Sequence, residues 1–204
     1  MKNIKPIYSI NFNKIARPRN EIIYLVYHYT GMMSQKKAIE RLISKKSKVS
    51  CHYFVKKNGT IINMVPDKFI AWHAGISCWK KDKNLNNKSI GIEIHNSGHF
   101  NKCEKFSKKQ VKSLLSLTKI LKKKYNILPK NFLGHSDIAP NRKKDPGEKF
   151  PWEFLSKHKI GVWYNLSKKD LKFRDVNVTK KDEKIFYLCL KKMGYCLKKN
   201  SLYI

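Results

Sequence analysis

An unbroken apolar segment over residues 22–27, Ile-Ile-Tyr-Leu-Val-Tyr, constrains the fold of this chain more than any other feature. Its apolar side chains do not alternate with polar ones, so the segment, which continues to Thr30, predicts a β-strand that is buried on both faces. A strand of this kind needs a layer of helices on each side of its sheet. We therefore expect an α/β fold in which a central mixed β-sheet is flanked by helices.

The neighbouring segments carry signals for the other elements of such a fold. Ser34 is placed to cap one helix, and Ser107-x-x-Gln110 forms a capping box at the start of another. Helices are predicted over residues 35–44 and 107–125, strands over 89–95 and 131–135, and a hairpin turn at Asn58-Gly59.

Length and local composition indicate one main domain with a small appendage. The 204 residues exceed a typical domain of about 100 to 150 residues but fall short of two. After residue 160 the dense apolar strands stop, and a helix opened by Thr179-x-x-Asp182 and ended by Gly194 follows. We expect the main domain over residues 1–160 and a small helical tail over residues 161–204.

The net charge of +31 raises nucleic acid, an anionic membrane or an acidic substrate as partners. Five of the 45 basic residues are arginines, and the lysines are spread from Lys2 to Lys199 without a base-reading motif. Lysine spread so evenly is typical of a chain encoded by an AT-rich genome. The sequence therefore predicts no specific nucleic-acid partner, and it leaves open whether the charge serves a function.

Cysteine usage and hydropathy bear on the compartment. The five cysteines form no C-x-x-C pair and are odd in number, which predicts free thiols in a reducing compartment. The longest apolar run is far below the ~18 residues that span a bilayer, and the first twenty residues contain no apolar core of a signal peptide. We therefore expect no membrane span and a cytoplasmic rather than periplasmic location.

Three potential metal ligands follow predicted strands or lie in an adjoining loop. His28 follows the buried segment, His135 follows Phe-Leu-Gly, and Asp145 lies ten residues further on. Taken singly, each histidine is better explained as a structural residue. Because sites in α/β sheets gather at the carboxyl ends of strands, the three side chains together predict a site that holds zinc with one position open.

Two charged residues near these positions are candidates for catalysis. Glu93 interrupts the apolar strand Ile-Gly-Ile-Glu-Ile, where an unpaired carboxylate is costly, so it either pairs with a base or faces a cleft and transfers protons. Lys143 lies two residues before Asp145 and would point to the same side of an extended segment. A cation there can stabilise a developing oxyanion.

Five other residues are candidates for substrate binding. Trp72, His73 and Trp79 lie in a loop rich in aromatic residues, which is equally compatible with a sugar or peptide groove and with plain packing. His95 and Asn96 follow the strand that carries Glu93. For His95 a solvated position at the end of the strand is the preferred interpretation, and substrate contact is the alternative.

Five sequence blocks occur in order over roughly residues 9–157: YHYTGM at 27–32, SCHYFV at 50–55, AWHAG at 71–75, IGIEI at 90–94, and GHSDIAP at 134–140, which leads into RKKDPG at 142–147. Together they resemble the zinc N-acetylmuramoyl-L-alanine amidases of the AmpD/AmiD type, the amidase type 2 family. The resemblance implies one Zn²⁺ held by His28, His135 and Asp145, with Glu93 as the catalytic glutamate and Lys143 as the lysine that stabilises the transition state.

The resemblance also implies a reaction and its partners. The expected reaction is hydrolysis of the amide between N-acetylmuramic or 1,6-anhydro-N-acetylmuramic acid and L-alanine of a peptidoglycan stem peptide, in cell-wall turnover or recycling. A non-catalytic peptidoglycan recognition protein is the alternative, and the presence of Asp145, Glu93 and Lys143 together argues against it. The sequence leaves open whether the substrate is polymeric wall or small muropeptides, which stem length is preferred, and what the oligomeric state is. The tail over residues 161–204 faintly resembles a peptidoglycan-binding module.

Overall fold

The centre of the molecule is a six-stranded sheet in a computed structural model that describes residues 4–172 and 176–197. In spatial order its strands are β1 (Ile4–Pro6), β5 (Ile61–Asn63), β4 (Tyr53–Val55), β9 (Ser89–Ile94), β3 (Tyr24–Tyr29) and β10 (Phe132–Gly134). The β4 and β5 strands pair antiparallel, and the other four pairs are parallel. The predicted mixed sheet is confirmed.

Short strand pairs and helices surround this sheet. Strands β2 (Phe12–Asn13) and β6 (Ile70–Ala71) form one pair, and β7 (Cys78–Trp79) and β8 (Asp82–Lys83) form another. The described residues form six α-helices: α1 (Gln35–Ile43), α2 (Lys108–Tyr125), α3 (His135–Ile138), α4 (Trp152–Ser156), α5 (Lys168–Leu171) and α6 (Lys180–Met193). The expected capping box at Ser107 and the N-cap at Ser34 are both formed.

Strand β3 is buried on both faces, as its apolar sequence predicted. On one face Leu25 and Tyr27 join a cluster with the apolar side chains of α2. On the other face Tyr24 and Val26 pack in a cluster that includes Ile138 of α3. Burial on two sides explains why this strand lacks alternating polar residues.

The register of the parallel strands gathers polar side chains at one edge of the sheet. His28 of β3 is paired with Glu93 of β9, and Gly134 of β10 is paired with Tyr27, so that His135 follows directly at the same edge. Because the carboxyl ends of neighbouring parallel strands coincide, this edge is where an α/β sheet presents a site.

Beyond residue 160 the described chain contributes little to the core. Helix α6 has no buried residue, and Ile185 and Phe186 are 50% and 64% exposed. The tail meets the main domain through Tyr195, whose ring lies 4.9 Å from that of Trp79 and whose hydroxyl donates to Asp137. A separate unit over residues 161–204 stays a prediction, and residues 173–175 and 198–204 of it lie outside the described part.

The expectation of five free thiols is wrong for two cysteines. Cys78 and Cys196 form a disulfide with their Cα atoms 5.8 Å apart, across 118 residues of sequence. Cys51, Cys103 and Cys189 are free. No spacing in the sequence signalled this bridge, because it depends on the tail returning to the β7–β8 hairpin.

No helix in the described ranges is long and apolar enough to cross a membrane.

Candidate metal centre and its cavity

Three ligand atoms of the predicted metal set converge at the carboxyl edge of the sheet. The Nδ1 atoms of His28 and His135 lie 2.9 Å apart, and each lies 3.0 Å from Oδ2 of Asp145. All three residues are buried. The fold therefore brings together residues that are up to 117 positions apart in the sequence.

The partner of His135 defines which of its ring nitrogens is free. Its Nε2 atom lies 3.0 Å from the carbonyl oxygen of Ala74, which can only accept. The proton of the neutral ring is therefore assigned to Nε2, and the lone pair on Nδ1 faces Asp145.

A chain of hydrogen bonds makes the same assignment for His28. The Ser89 hydroxyl donates to the carbonyl of Leu85, so its oxygen accepts from Nε2 of His73 at 3.2 Å. The Nδ1 atom of His73 then carries a lone pair and accepts from Nε2 of His28 at 3.0 Å. His73 thus orients the His28 ring from behind and leaves the Nδ1 lone pair of His28 directed at the cluster.

These assignments make the cluster suited to a metal cation. Two imidazole lone pairs and one carboxylate oxygen face one another with no proton between them, an arrangement that is repulsive unless a cation lies at its centre. Burial lowers the pKa of His28 to about 4, ahead of the positive charge that His135 would add, so the ring is neutral at neutral pH. Neutral imidazoles and a carboxylate are ligands that zinc accepts, and three of them leave one position open.

Glu93 lies next to this cluster with an oxygen that has no partner. Its side chain is partly exposed to the cavity, but Oε2 is buried and makes no hydrogen bond among the described residues. Burial, with the negative charge of Asp145, raises the pKa of Glu93 well above its usual value, while Lys143 opposes the rise. A carboxylate in this setting is a stronger base than one in water, which is what proton transfer requires.

A cavity of about 600 Å³ opens over the cluster. Glu93, Lys143 and Asp145 all line it, so the two predicted catalytic residues and a predicted ligand face one space. Its further lining includes three cations in addition to Lys143: Arg41, Arg142 and Lys144. The cavity is therefore suited to a substrate that carries negative charge.

The predicted substrate-binding residues separate into two groups. Trp72 and His73 line the cavity, although both nitrogens of the His73 ring are engaged with His28 and Ser89. Trp79 does not line it, because its 4% exposed side chain packs in the cluster beneath the other face of β3.

His95 and Asn96 also lie outside the cavity lining. His95 is 7% exposed, contrary to the solvated position that the sequence favoured, and contacts the hydroxyl of Thr30. Asn96 is buried, donates to the carbonyl of Glu104 and accepts from the N–H of Gly98, so it organises the following loop.

Sequence reasoning missed the role of Ser89 and of a glycine behind His73. A Cβ atom on Gly91 would lie 2.3 Å from Cγ of His73, so only glycine leaves room for the ring. A glycine inside a strand marks such a close approach and was the available signal.

Sequence reasoning also assigned no role to Arg142. Its guanidinium donates to the carbonyls of Ala74 and Ile76 and lies 3.4 Å from Nε2 of His135. No sequence signal marked it, because its acceptors are backbone atoms.

Comparison with known families and proteins gives a consistent result. A family model described as N-acetylmuramoyl-L-alanine amidase matches residues 18–148. The chain is 39% identical to N-acetylmuramoyl-L-alanine amidase AmiD of Escherichia coli over 160 residues, which are 72% of the chain and 56% of AmiD. It is 39% identical to 1,6-anhydro-N-acetylmuramyl-L-alanine amidase AmpD of Haemophilus influenzae, covering 75% of the chain and 90% of that protein.

Solved structures resemble the fold over most of the chain. The complex of E. coli AmiD with anhydro-N-acetylmuramic acid-L-Ala-D-gamma-Glu-L-Lys has a TM-score of 0.77 at 35% identity and covers 92% of this chain and 76% of AmiD. AmpDh3 of Pseudomonas aeruginosa with anhydromuramic pentapeptide has a TM-score of 0.75 at 31% identity, covering 92% and 78%. The chain spans little more than half the length of the AmiD and AmpD sequences of E. coli.

Proposed function

The chain belongs to the N-acetylmuramoyl-L-alanine amidase family whose model matches residues 18–148, and from this premise we propose that it is an amidase acting on muropeptides. The bond cleaved is the amide between the lactyl group of N-acetylmuramic or 1,6-anhydro-N-acetylmuramic acid and L-alanine of the stem peptide. The observation that carries the proposal is the convergence of His28, His135 and Asp145. This group lies next to a cavity that Glu93 and Lys143 line.

The metal in this proposal is one Zn²⁺ per chain, held by His28, His135 and Asp145. Bound there, zinc supplies Lewis-acid polarisation of the scissile carbonyl and lowers the pKa of the attacking water. The His73 and Ala74 contacts keep the proton of each ligand ring on Nε2, away from the ligand atom.

In this mechanism Glu93 transfers the proton and Lys143 stabilises the developing negative charge. Glu93, which lines the cavity, accepts the proton of the attacking water and passes it to the leaving amine of L-alanine. Lys143 lines the same cavity and stabilises the oxyanion that develops on the carbonyl oxygen. Neither role needs a second carboxylate, in contrast to glycoside hydrolysis.

The substrate class follows from the cavity and from the relatives. The cations that line the cavity suit the carboxylates of a stem peptide, and two structural relatives are described with anhydromuramyl peptides. We therefore infer that anhydromuramyl peptides released in peptidoglycan turnover or recycling are the substrate. The non-catalytic recognition protein is disfavoured, because the residues proposed for catalysis and for metal binding are all present and lie close to one another.

The tail and the compartment are separate proposals. We propose that residues 161–204 assist adsorption to insoluble wall, because α6 presents apolar side chains that the main domain does not cover. Truncation after residue 160 should then leave cleavage of small muropeptides intact and weaken adsorption, whereas unfolding on truncation would contradict this role.

The cytoplasmic location stays a prediction that cell fractionation tests. The Cys78–Cys196 disulfide is the observation against it, since such bridges persist in oxidising compartments.

Incubation with a defined anhydromuramyl tripeptide, followed by mass analysis, tests the activity. The expected products are the intact sugar and a stem peptide that begins with L-alanine, formed by the native protein, abolished by a chelator and restored by zinc. The matched variant replaces His28, His135 and Asp145 by alanine and should lose both zinc and activity. Cleavage within the stem, or full activity of the triple variant, would refute the proposal.

A further inference from the structure

A second group of metal-ligating side chains lies next to the proposed catalytic site. His99, Cys103 and Glu148 place one imidazole nitrogen, one sulfur and one carboxylate oxygen within 4.8 Å of one another. We propose that these three residues bind a soft divalent cation, with zinc as the best fit. This site is separate from the group formed by His28, His135 and Asp145, called the His28 cluster below. This site does not depend on the amidase activity.

The ligand types determine which cations suit the site. A thiolate and an imidazole select zinc and other late first-row metals over magnesium and calcium, which prefer oxygen ligands. His99 Nε2 and Glu148 Oε2 are already 2.9 Å apart, so little movement is needed for both to bind one ion. Three protein ligands leave one position for water.

The backbone next to the group is shaped to admit it. Gly147 has φ of +79°, and a Cβ atom there would lie 3.0 Å from Sγ of Cys103 and 3.2 Å from Cε1 of His99. Any other residue at position 147 would crowd both ligands as well as strain the backbone. The glycine is therefore what allows the sulfur and the ring to approach each other.

A supporting hydrogen bond holds the His99 ring from behind. Its Nδ1 atom lies 2.8 Å from the hydroxyl of Tyr29, which lines the catalytic cavity. A hydroxyl can donate or accept, so that of Tyr29 can accept a hydrogen bond from Nδ1–H of His99 when Nε2 offers its lone pair to a cation. Imidazole ligands of metals ordinarily have such a partner on the other nitrogen.

The exposure of the three residues indicates the order in which an entering ion contacts them. His99 and Glu148 are exposed, whereas Cys103 is only 5% exposed. An ion therefore meets the imidazole and carboxylate first and the sulfur last. Binding displaces one proton, from the Cys103 thiol to solvent, because the thiolate is the ligand.

The alternative is that His99 and Glu148 form an ordinary surface hydrogen bond and Cys103 plays no part in it. Titration of the full-length native protein with cobalt(II) chloride distinguishes the two. The His28 cluster contains no sulfur, so a thiolate-to-cobalt charge-transfer band reports the second site alone. We expect each chain to bind two equivalents of cobalt, and the band should grow as one of the two binds. Zinc should displace both equivalents.

Matched variants assign the band to its ligand. Cys103→Ser should abolish the band and one equivalent, while Cys189→Ser, which removes the exposed free thiol on α6, should change neither. Glu148→Gln alters an exposed residue and should weaken the second equivalent without affecting folding. A single equivalent without a band in the native protein, or a band that survives in Cys103→Ser, would overturn the proposal, and so would a band lost in Cys189→Ser.

Discussion

Replacing His73 by phenylalanine tests whether the hydrogen bond behind His28 controls metal binding at the candidate centre. Phenylalanine keeps the aromatic ring, so the buried position opposite Gly91 stays filled. It removes the acceptor at 3.0 Å from Nε2 of His28. Ser89 is not left without a partner, because its hydroxyl still donates to the carbonyl of Leu85.

The expected size of the effect follows from the single donor that loses its partner. The buried Nε2–H of His28 would be left unsatisfied at a cost of roughly 1–3 kcal/mol. The ring can avoid this cost by moving its proton to Nδ1, the atom that faces Asp145, and the metal must then displace that proton. Loss of such a supporting partner typically lowers metal affinity by about 10–100-fold, which is ~1.4–2.8 kcal/mol.

Competition against a chromogenic chelator measures this change directly. The parent and the His73→Phe variant both carry Cys103→Ser, so that only the His28 cluster is titrated. His95→Phe is the matched control, because His95 is also a buried histidine near the end of a sheet strand but contacts Thr30 rather than a proposed ligand. A folded His73→Phe protein that binds zinc within about threefold of the parent would refute the tautomer argument.

Three further predictions follow from the site and its supports. Glu93→Gln should keep fold and zinc content but lower kcat by ~10² or more. Because burial raises the pKa of Glu93, kcat/KM of the native protein should begin to fall at a pH above 4.5 as the solution is acidified, which a pH–rate profile measures. Asp67 is buried and accepts hydrogen bonds from the hydroxyls of Tyr53 and Tyr125, so Asp67→Asn should lower the free energy of unfolding by ~1–3 kcal/mol. Burial opposes ionisation of Asp67, but its hydrogen bonds lower its pKa below 3.8, so this difference in urea unfolding should shrink as pH falls below 3.8, and an undiminished difference would contradict the assignment. Thiol labelling of the denatured protein should find three thiols without reductant and five with it, and five in both would disprove the Cys78–Cys196 bridge.

The apolar segment over residues 22–27 determined the fold class by itself, because an uninterrupted apolar strand is stable only between two covering layers. The capping boxes likewise defined helix starts, since capping uses side chains three residues apart in the sequence. The sequence also identified the candidate site residues, because His28 lies near the end of β3, His135 directly follows β10 and Glu93 interrupts the apolar strand β9.

Only the tertiary structure decided the contacts between residues far apart in the sequence. His73 lies 45 residues from His28 and 16 from Ser89, so nothing local indicates that it orients a ligand rather than contacts a sugar. Trp79 shares the aromatic loop with Trp72, yet it packs under the sheet because the β7–β8 hairpin turns its ring toward the tail. The Cys78–Cys196 bridge depends on the same return of the chain. Sequence periodicity reports which face of an element is buried, but the partner on that face is set by how the elements pack.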